Sequence, residues 1–480
     1  MKKCNLKQHH IIDIMRCYRS LKTYFSMNEF NKFSLSGKYL SYFVICYILA
    51  MGIFIGLGYI AAALPPTKSF CKNAKKTISY ISGKKSTRSL LQAGKNNNLY
   101  LHGVVLDDFT DTLILNNAFC YGKNGDSAFK SAMQNTIFYS NHDKSKEWRL
   151  QHTAALFNYP EVSGRPSPYN RYWFGTSVIV KIAHYFSSSR TIYSWFGYIV
   201  VFLIFAVFAE LLKFHEKMKA WAFLLFMMML HFYACFQSFQ YSPAFIIALG
   251  GTLIGLHAER KKYQFLNKYL LLFCLGMLCA YFDLLTTPLL TAFTPLLFMS
   301  KGENNVQDKT QITVTVGWKL FVEWGVAPVC WLVGYVASWG TKLLIADYFN
   351  GCFLSNWERI LLRSSSESQH IEAFSRWSAI AKNWQTFYDL NRVVFCIVLM
   401  IAACILCWQI WHVIKKRKQF DCKKFAGYCC YALVPICFIF IMANHSRIHY
   451  WMTYRNISIA VTALFLSLSA FTTTEGIENE

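Results

Sequence analysis

Uncharged apolar runs recur along the chain, and their length is the first signal it offers. A helix needs about 20 apolar residues to cross a hydrocarbon core of about 30 Å. That template selects residues 39–64, an uncharged run closed by Pro65 and Pro66, and then 192–212, 220–236, 243–258, 269–283, 285–299, 320–345, 392–414, 425–443 and 457–472. The first run exceeds the apolar core of a signal peptide and shows no cleavage pattern, so it reads as a retained anchor. The pieces at 243–258 and 269–299 are short or interrupted, which predicts tilted, broken or re-entrant helices there. The fold expected is all-α: a polytopic transmembrane helix bundle of about 10 spans, with a mostly helical extracytoplasmic cap after the first span.

Composition excludes the soluble alternative. The chain is 54% hydrophobic and only 15% charged, where soluble proteins carry about 25% charged residues. Its 17 cysteines lie mostly within the apolar runs, where they act as small hydrophobes. No paired CxxC spacing marks a zinc site. Gly56 with Gly58, and Gly250 with Gly251, read as helix-packing positions.

The net charge of +24 is resolved by its location. Lys213, Lys217 and Lys219 form one basic group; others are Arg260 to Lys268, Lys301 to Lys319, Lys415 to Lys424, and the N-terminal set from Lys2 to Lys22. With ten crossings all five groups fall on one side, which the positive-inside rule makes cytoplasmic, with both termini inside. The expected organisation is a basic segment at 1–38, the first span at 39–64, an extracytoplasmic linker and cap at 65–191, a bundle at 192–472 with an outer loop at 346–391, and a tail at 473–480. Within 65–191, residues 67–98 are basic and polar and read as a loose linker. No nucleic-acid-binding motif accompanies the charge, so nucleic acid is not expected as a partner.

Four outward clusters carry candidate chemistry. Asp107, Asp108 and Asp111 place three carboxylates in five residues after an apolar run. Such a group binds a divalent cation or removes a hydroxyl proton, and equally caps a helix. No other cofactor is indicated. Arg171, Tyr172 and Trp173 fit a sugar or phosphate contact, or an interfacial aromatic belt. Asp283 interrupts a long uncharged stretch and precedes Thr286, Thr287 and Pro288. That pattern fits a broken helix whose N-terminus faces outward, or a hairpin tip in water. His445, Arg447, His449 and Arg455 put cations on the outward side, against the topology rule, as an anion site or as snorkelling anchors. Arg359, Arg363 and His370 are assigned to a solvated, turn-rich loop.

Outward acids after the first span, about ten spans, and Arg and His in later outer loops together resemble the GT-C superfamily of membrane glycosyltransferases, which use polyprenyl-phosphate-linked sugars. The segments 281–288 and 444–455 are also similar to those of uncharacterised bacterial surface-polysaccharide membrane proteins. The resemblance implies that Asp107 or Asp108 activates an acceptor hydroxyl, and that His445, Arg447, His449 and Arg455 hold the lipid phosphate. The expected partners are a polyprenyl-phosphate-linked sugar, a glycan or lipid-linked acceptor, and the lipid bilayer, in a bacterial cytoplasmic membrane. A transporter or flippase of a lipid-linked glycan and a non-catalytic envelope assembly protein are the competing readings.

Overall fold

The structure is a computed structural model that describes residues 37–83, 108–120, 127–140, 164–261, 268–299, 324–351, 353–366, 373–415 and 418–473. The chain divides into two units, Met1–Ile48 and Leu49–Glu480. Helix α1, Gly37–Ala63, begins in the first and ends in the second. The second unit continues with α2 (Lys68–Gly83), α3 (Asp108–Cys120), α4 (Ala128–Gln134), β1 (Ile137–Ser140), β2 (Gly164–Ser167) and α5 (Gly175–His184). Then come α6 (Ser189–Lys213), α7 (Lys217–Met229), α8 (Tyr241–Lys261), α9 (Lys268–Phe282), α10 (Pro288–Met299), α11 (Val326–Asn350), α12 (Phe353–Ser364) and α13 (Arg376–Ile414). The described chain closes with β3 (Lys418–Phe420), α14 (Cys422–Ile441), α15 (Ala443–Ile448), α16 (Tyr450–Thr453), α17 (Arg455–Ser467) and β4 (Phe471–Thr473).

Among the described residues six helices are long and apolar enough to cross a membrane: those at Leu40–Ala63, Ser189–Lys213, Tyr241–Lys261, Val326–Phe349, Arg376–Ile414 and Cys422–Ile441. They make the chain an integral membrane protein by length and composition. The other four expected spans coincide with α7, α9, α10 and α17, which have 13, 15, 12 and 13 residues. At 1.5 Å per residue these reach only about 18–23 Å. Helices α9, α10 and α17 are largely enclosed by protein, every residue of α10 being buried, while α7 leaves Trp221 and Met228 exposed. That enclosure lets backbone outside regular helix sit among apolar segments, because its polar groups find protein partners. The breaks carry left-handed backbone at His231 (φ 54°) after α7 and at Leu285 (φ 66°) between α9 and α10.

One member of each expected glycine pair packs against a neighbour: a Cβ on Gly251 would lie 2.5 Å from Leu275 Cδ1 of α9, and one on Gly58 would lie 3.7 Å from the Ala132 Cβ of α4. Gly56 and Gly250 have open space around them. Where α9 crosses α11, a Cβ on Gly276 would lie 2.0 Å from the Trp331 carbonyl oxygen, and one on Gly334 would lie 2.1 Å from that of Phe273. Only the absence of both side chains permits this backbone contact.

The cap departs from the expected helical composition by one ribbon, β1 paired antiparallel with β2. It is seated on α3 by an asparagine. The Asn116 amide donates to the Phe138 carbonyl (3.0 Å) and accepts from the Phe138 amide (2.8 Å), imitating a neighbouring strand. A second ribbon, β3 with β4, joins the start of α14 to the end of the chain's last described helix. The expected loose linker is also corrected in part. Residues 68–83 are helical because Phe70, Ala74 and Thr77, spaced i, i+4, i+7, form one buried stripe.

Candidate functional site

Polar side chains tie the cap to the turns between the bundle helices, beside an apolar cluster that includes Ile114, Phe138, Tyr193 and Phe239. Asp111, one turn into α3, is buried, and its carboxylate accepts from the Tyr193 hydroxyl (3.0 Å), the Ser238 hydroxyl (3.2 Å) and the backbone amides of Phe239 (3.1 Å) and Gln240 (3.0 Å). It thereby fixes the loop that enters α8. Gln240 continues the chain of contacts: its amide donates to the Thr286 hydroxyl at 2.5 Å and meets the Met452 sulfur at 3.3 Å. Thr286 belongs to the turn between α9 and α10, where its backbone amide donates to both carboxylate oxygens of Asp283, each at 3.0 Å. Asp283 thus caps its own turn, outside the helices. Burial raises its pKa to about 6, against the opposing pull of the Thr286 hydrogen bonds.

Leu285 sits in the same turn with its strained left-handed backbone. A leucine holds that conformation only where its surroundings impose it. Here His445 Nε2 donates to the Leu285 carbonyl at 2.8 Å. The His445 ring lies 4.9 Å from that of His449, whose Nε2 accepts from Arg363 Nη1 at 3.3 Å. Burial and the neighbouring Arg363 push the His449 pKa down to about 4, and burial, His449 and Arg363 push His445 down as well. Both imidazoles are neutral at pH 7.

The cation of this cluster is therefore Arg363, at the end of α12. The serine run Ser364 to Ser366 hides it in the sequence, although α12 carries a usable signal: Phe353, Trp357, Ile360 and Leu361 recur at helical spacing. Arg363 and Arg171 line one cavity of about 280 Å³ together with Tyr172, Leu285, Pro288 and the α11 residues Trp331, Leu332, Tyr335, Val336, Trp339 and Leu343. Trp331 and Leu343 stand twelve positions apart, so the cavity follows α11 for about 18 Å. Such a volume over such a length is a narrow, chain-shaped slot. The cap borders the slot at its arginines: the Trp339 indole donates to the Arg171 carbonyl (2.8 Å), and Asn135, which ends α4 in the cap, bonds the Tyr172 carbonyl. The slot's flank is open: Leu332 and Val336 are 51% and 53% exposed on the lipid-facing side of α11. Burial raises the Tyr172 pKa, and Arg171 beside it pulls the other way, so the phenol stays protonated.

The remaining expected residues lie elsewhere. Trp173 is buried, its indole donates to the Ser338 carbonyl (3.0 Å), and its ring meets Phe54 and Tyr281; it joins cap to bundle. Arg447 packs on Phe374. Arg455 is 1% exposed, stacks on Tyr241 (4.1 Å) and Tyr454 (4.9 Å), and donates through Nε to the Leu230 carbonyl at 3.0 Å. None of the three lines the cavity. Asp107 and His370 lie outside the described residues, as do the side chains of Asp108, whose backbone opens α3, and of Arg359. Among the described residues no three His, Cys, Asp or Glu side chains group as a metal site. Compared with protein-family models, with curated proteins and with solved structures, the chain finds no match.

Proposed function

We propose that this protein is a membrane glycosyltransferase of the GT-C kind, taking a sugar from a polyprenyl-phosphate donor on the outward face of the membrane. The observation that carries the reading is the slot along α11, lined by two arginines beside the cap and flanked by exposed apolar side chains. Arginine forks match phosphate oxygens, and an apolar slot open to the bilayer suits a prenyl chain entering sideways. In this reading the short helices α7, α9, α10 and α17 complete ten crossings, with both termini inside and the cap outside.

The chemistry asks for few groups. The acceptor hydroxyl attacks the anomeric carbon, the bond from that carbon to the phosphate oxygen breaks, and the phosphate leaves with its charge offset by Arg171 and Arg363. The hydroxyl proton passes to Asp107 or Asp108. Support for placing those acids near the slot comes from Asp111, less than one turn beyond Asp108, whose contacts lead through Gln240 to Thr286 beside the slot wall. The acceptor is a cell-envelope glycan or lipid-linked glycan. A second reading, a flippase of lipid-linked glycan, is favoured by the broken helices at His231 and Leu285, a device transporters use at substrate sites.

The test is a pair of measurements. Purified full-length protein in nanodiscs should bind a polyprenyl phosphate, and Arg171→Ala or Arg363→Ala should each weaken that binding roughly 10- to 100-fold, the worth of a hydrogen bond to a charged group. Unaltered binding in both variants removes the slot as the donor site. Cells carrying Asp107→Asn or Asp108→Asn at normal protein level should lose the glycan. Unchanged glycan in both, with phosphate binding retained, leaves the flippase.

A further inference from the structure

Helix α2 carries a charged face that neither the slot nor the cap uses. Its sequence, KSFCKNAKKTISYISG, contains four lysines and no acidic residue. Phe70, Ala74 and Thr77 are buried, which leaves Lys68, Lys72, Lys75 and Lys76 exposed on the other side, where with Cys71 and Ser79 they line an open depression of about 640 Å³. Among the described residues no ion pair involves any of the four.

The rotation of the helix is locked. Asn73 donates to the His184 carbonyl at 2.9 Å, the Thr77 hydroxyl bonds His184 Nε2 at 2.9 Å, and Thr77 accepts from the Ser189 amide at 2.9 Å. Phe70 meets Phe119 edge to face. These contacts hold α2 beside the ends of two candidate spans, the ends that are outward in the orientation proposed above. Ser189 is the first residue of α6, a candidate span, and Lys68 follows the end of α1 by five residues, at most about 18 Å of extended chain. Exposed aromatics mark the same level: Phe186 is 77% exposed, with Trp195 and Tyr198 exposed on the first turns of α6. Aromatic side chains gather where hydrocarbon meets head groups.

We infer that the lysine face of α2 binds the phosphates of acidic phospholipids in the outward leaflet. Four cations beside a head-group layer, without counter-charges among the described residues, have the complement such lipids supply, and each contributes attraction that decays within a Debye length. Binding there would pin α2, and through His184 the adjoining cap helix α5, to the membrane surface. The inference rests on the cap-outside orientation proposed above but not on the transferase activity.

Peptide-resolved acetylation of the full-length protein tests it. In nanodiscs containing phosphatidylglycerol, the peptides bearing Lys68, Lys72, Lys75 and Lys76 should label several-fold more slowly than in nanodiscs of phosphatidylcholine alone. About 1 M salt, where the Debye length falls to about 3 Å, should abolish the difference. The protection should persist in Arg171→Ala/Arg363→Ala, which separates this face from the slot. Equal labelling in the two bilayers overturns the inference. So does protection produced by soluble polyphosphate in phosphatidylcholine discs but not by phosphatidylglycerol, which would make the face a site for an anionic polymer.

Discussion

Arg363 and Arg455 are two arginines that the structure uses in opposite ways. Arg455 is sealed between Tyr241 and Tyr454, gives a hydrogen bond to the backbone that ends α7, and touches no cavity. Arg363 is half-buried, leans on a neutral histidine, and shows its charge to a slot open toward lipid. A guanidinium wrapped in aromatic faces and carbonyls is a fastener, whereas one with an unfilled side is a binding group. Residue type does not separate them; the neighbours do.

The largest effect that would break the comparison is on folding. Arg455→Ala should cost about 3 kcal/mol or more, since it removes a charged hydrogen bond and leaves a void between two tyrosines. Arg363→Ala should cost only about 1 kcal/mol, the worth of its hydrogen bond to His449. Thermal unfolding in detergent reads both, and equal losses would erase the distinction. A smaller effect sharpens the role of Arg363. Lysine keeps the charge but not the fork, so Arg363→Lys should bind a polyprenyl phosphate roughly 10-fold more weakly than the wild type and still more tightly than Arg363→Ala. A lysine variant equal to wild type would reduce the site to a point charge.

The smallest effect concerns the histidine behind Arg363. A folded-state pKa of about 4, below the ordinary value of about 6.5, means that the unfolded chain takes up the proton first. Stability from neutral His449 is complete above pH 6.5 and drains away as the pH falls toward 4. The melting temperature of wild type relative to His449→Gln should therefore decline across that window. A constant difference would show that His449 is not held neutral.

The long helices were legible because length and apolarity together define a bilayer crossing, and α6, α8 and α14 lie close to where the apolar runs put them. The short ones were found in position but not in kind. Apolar composition is the same whether a helix faces lipid or protein, so nothing in the 285–299 run announced that α10 would be wholly enclosed. In α2 four lysines mask a three-residue apolar stripe, so the sequence alone reads there as a loose linker. Asp283 and Asp111 stand out in the sequence as acids next to apolar runs, yet their partners, Thr286 in one case and the entry to α8 in the other, are set by contacts the chain order does not reveal.

The sequence by itself determined that this is a helical membrane protein, where its long helices run, and that unusual polar groups gather between them. Those follow from hydrophobic transfer along local stretches of chain. Only the tertiary structure decided that the histidines of 444–456 are neutral, that Arg455 is a fastener, and that Arg171 and Arg363, far apart in sequence, close one slot. Charge state and accessibility depend on what surrounds a group, and those surroundings come from helices distant along the chain.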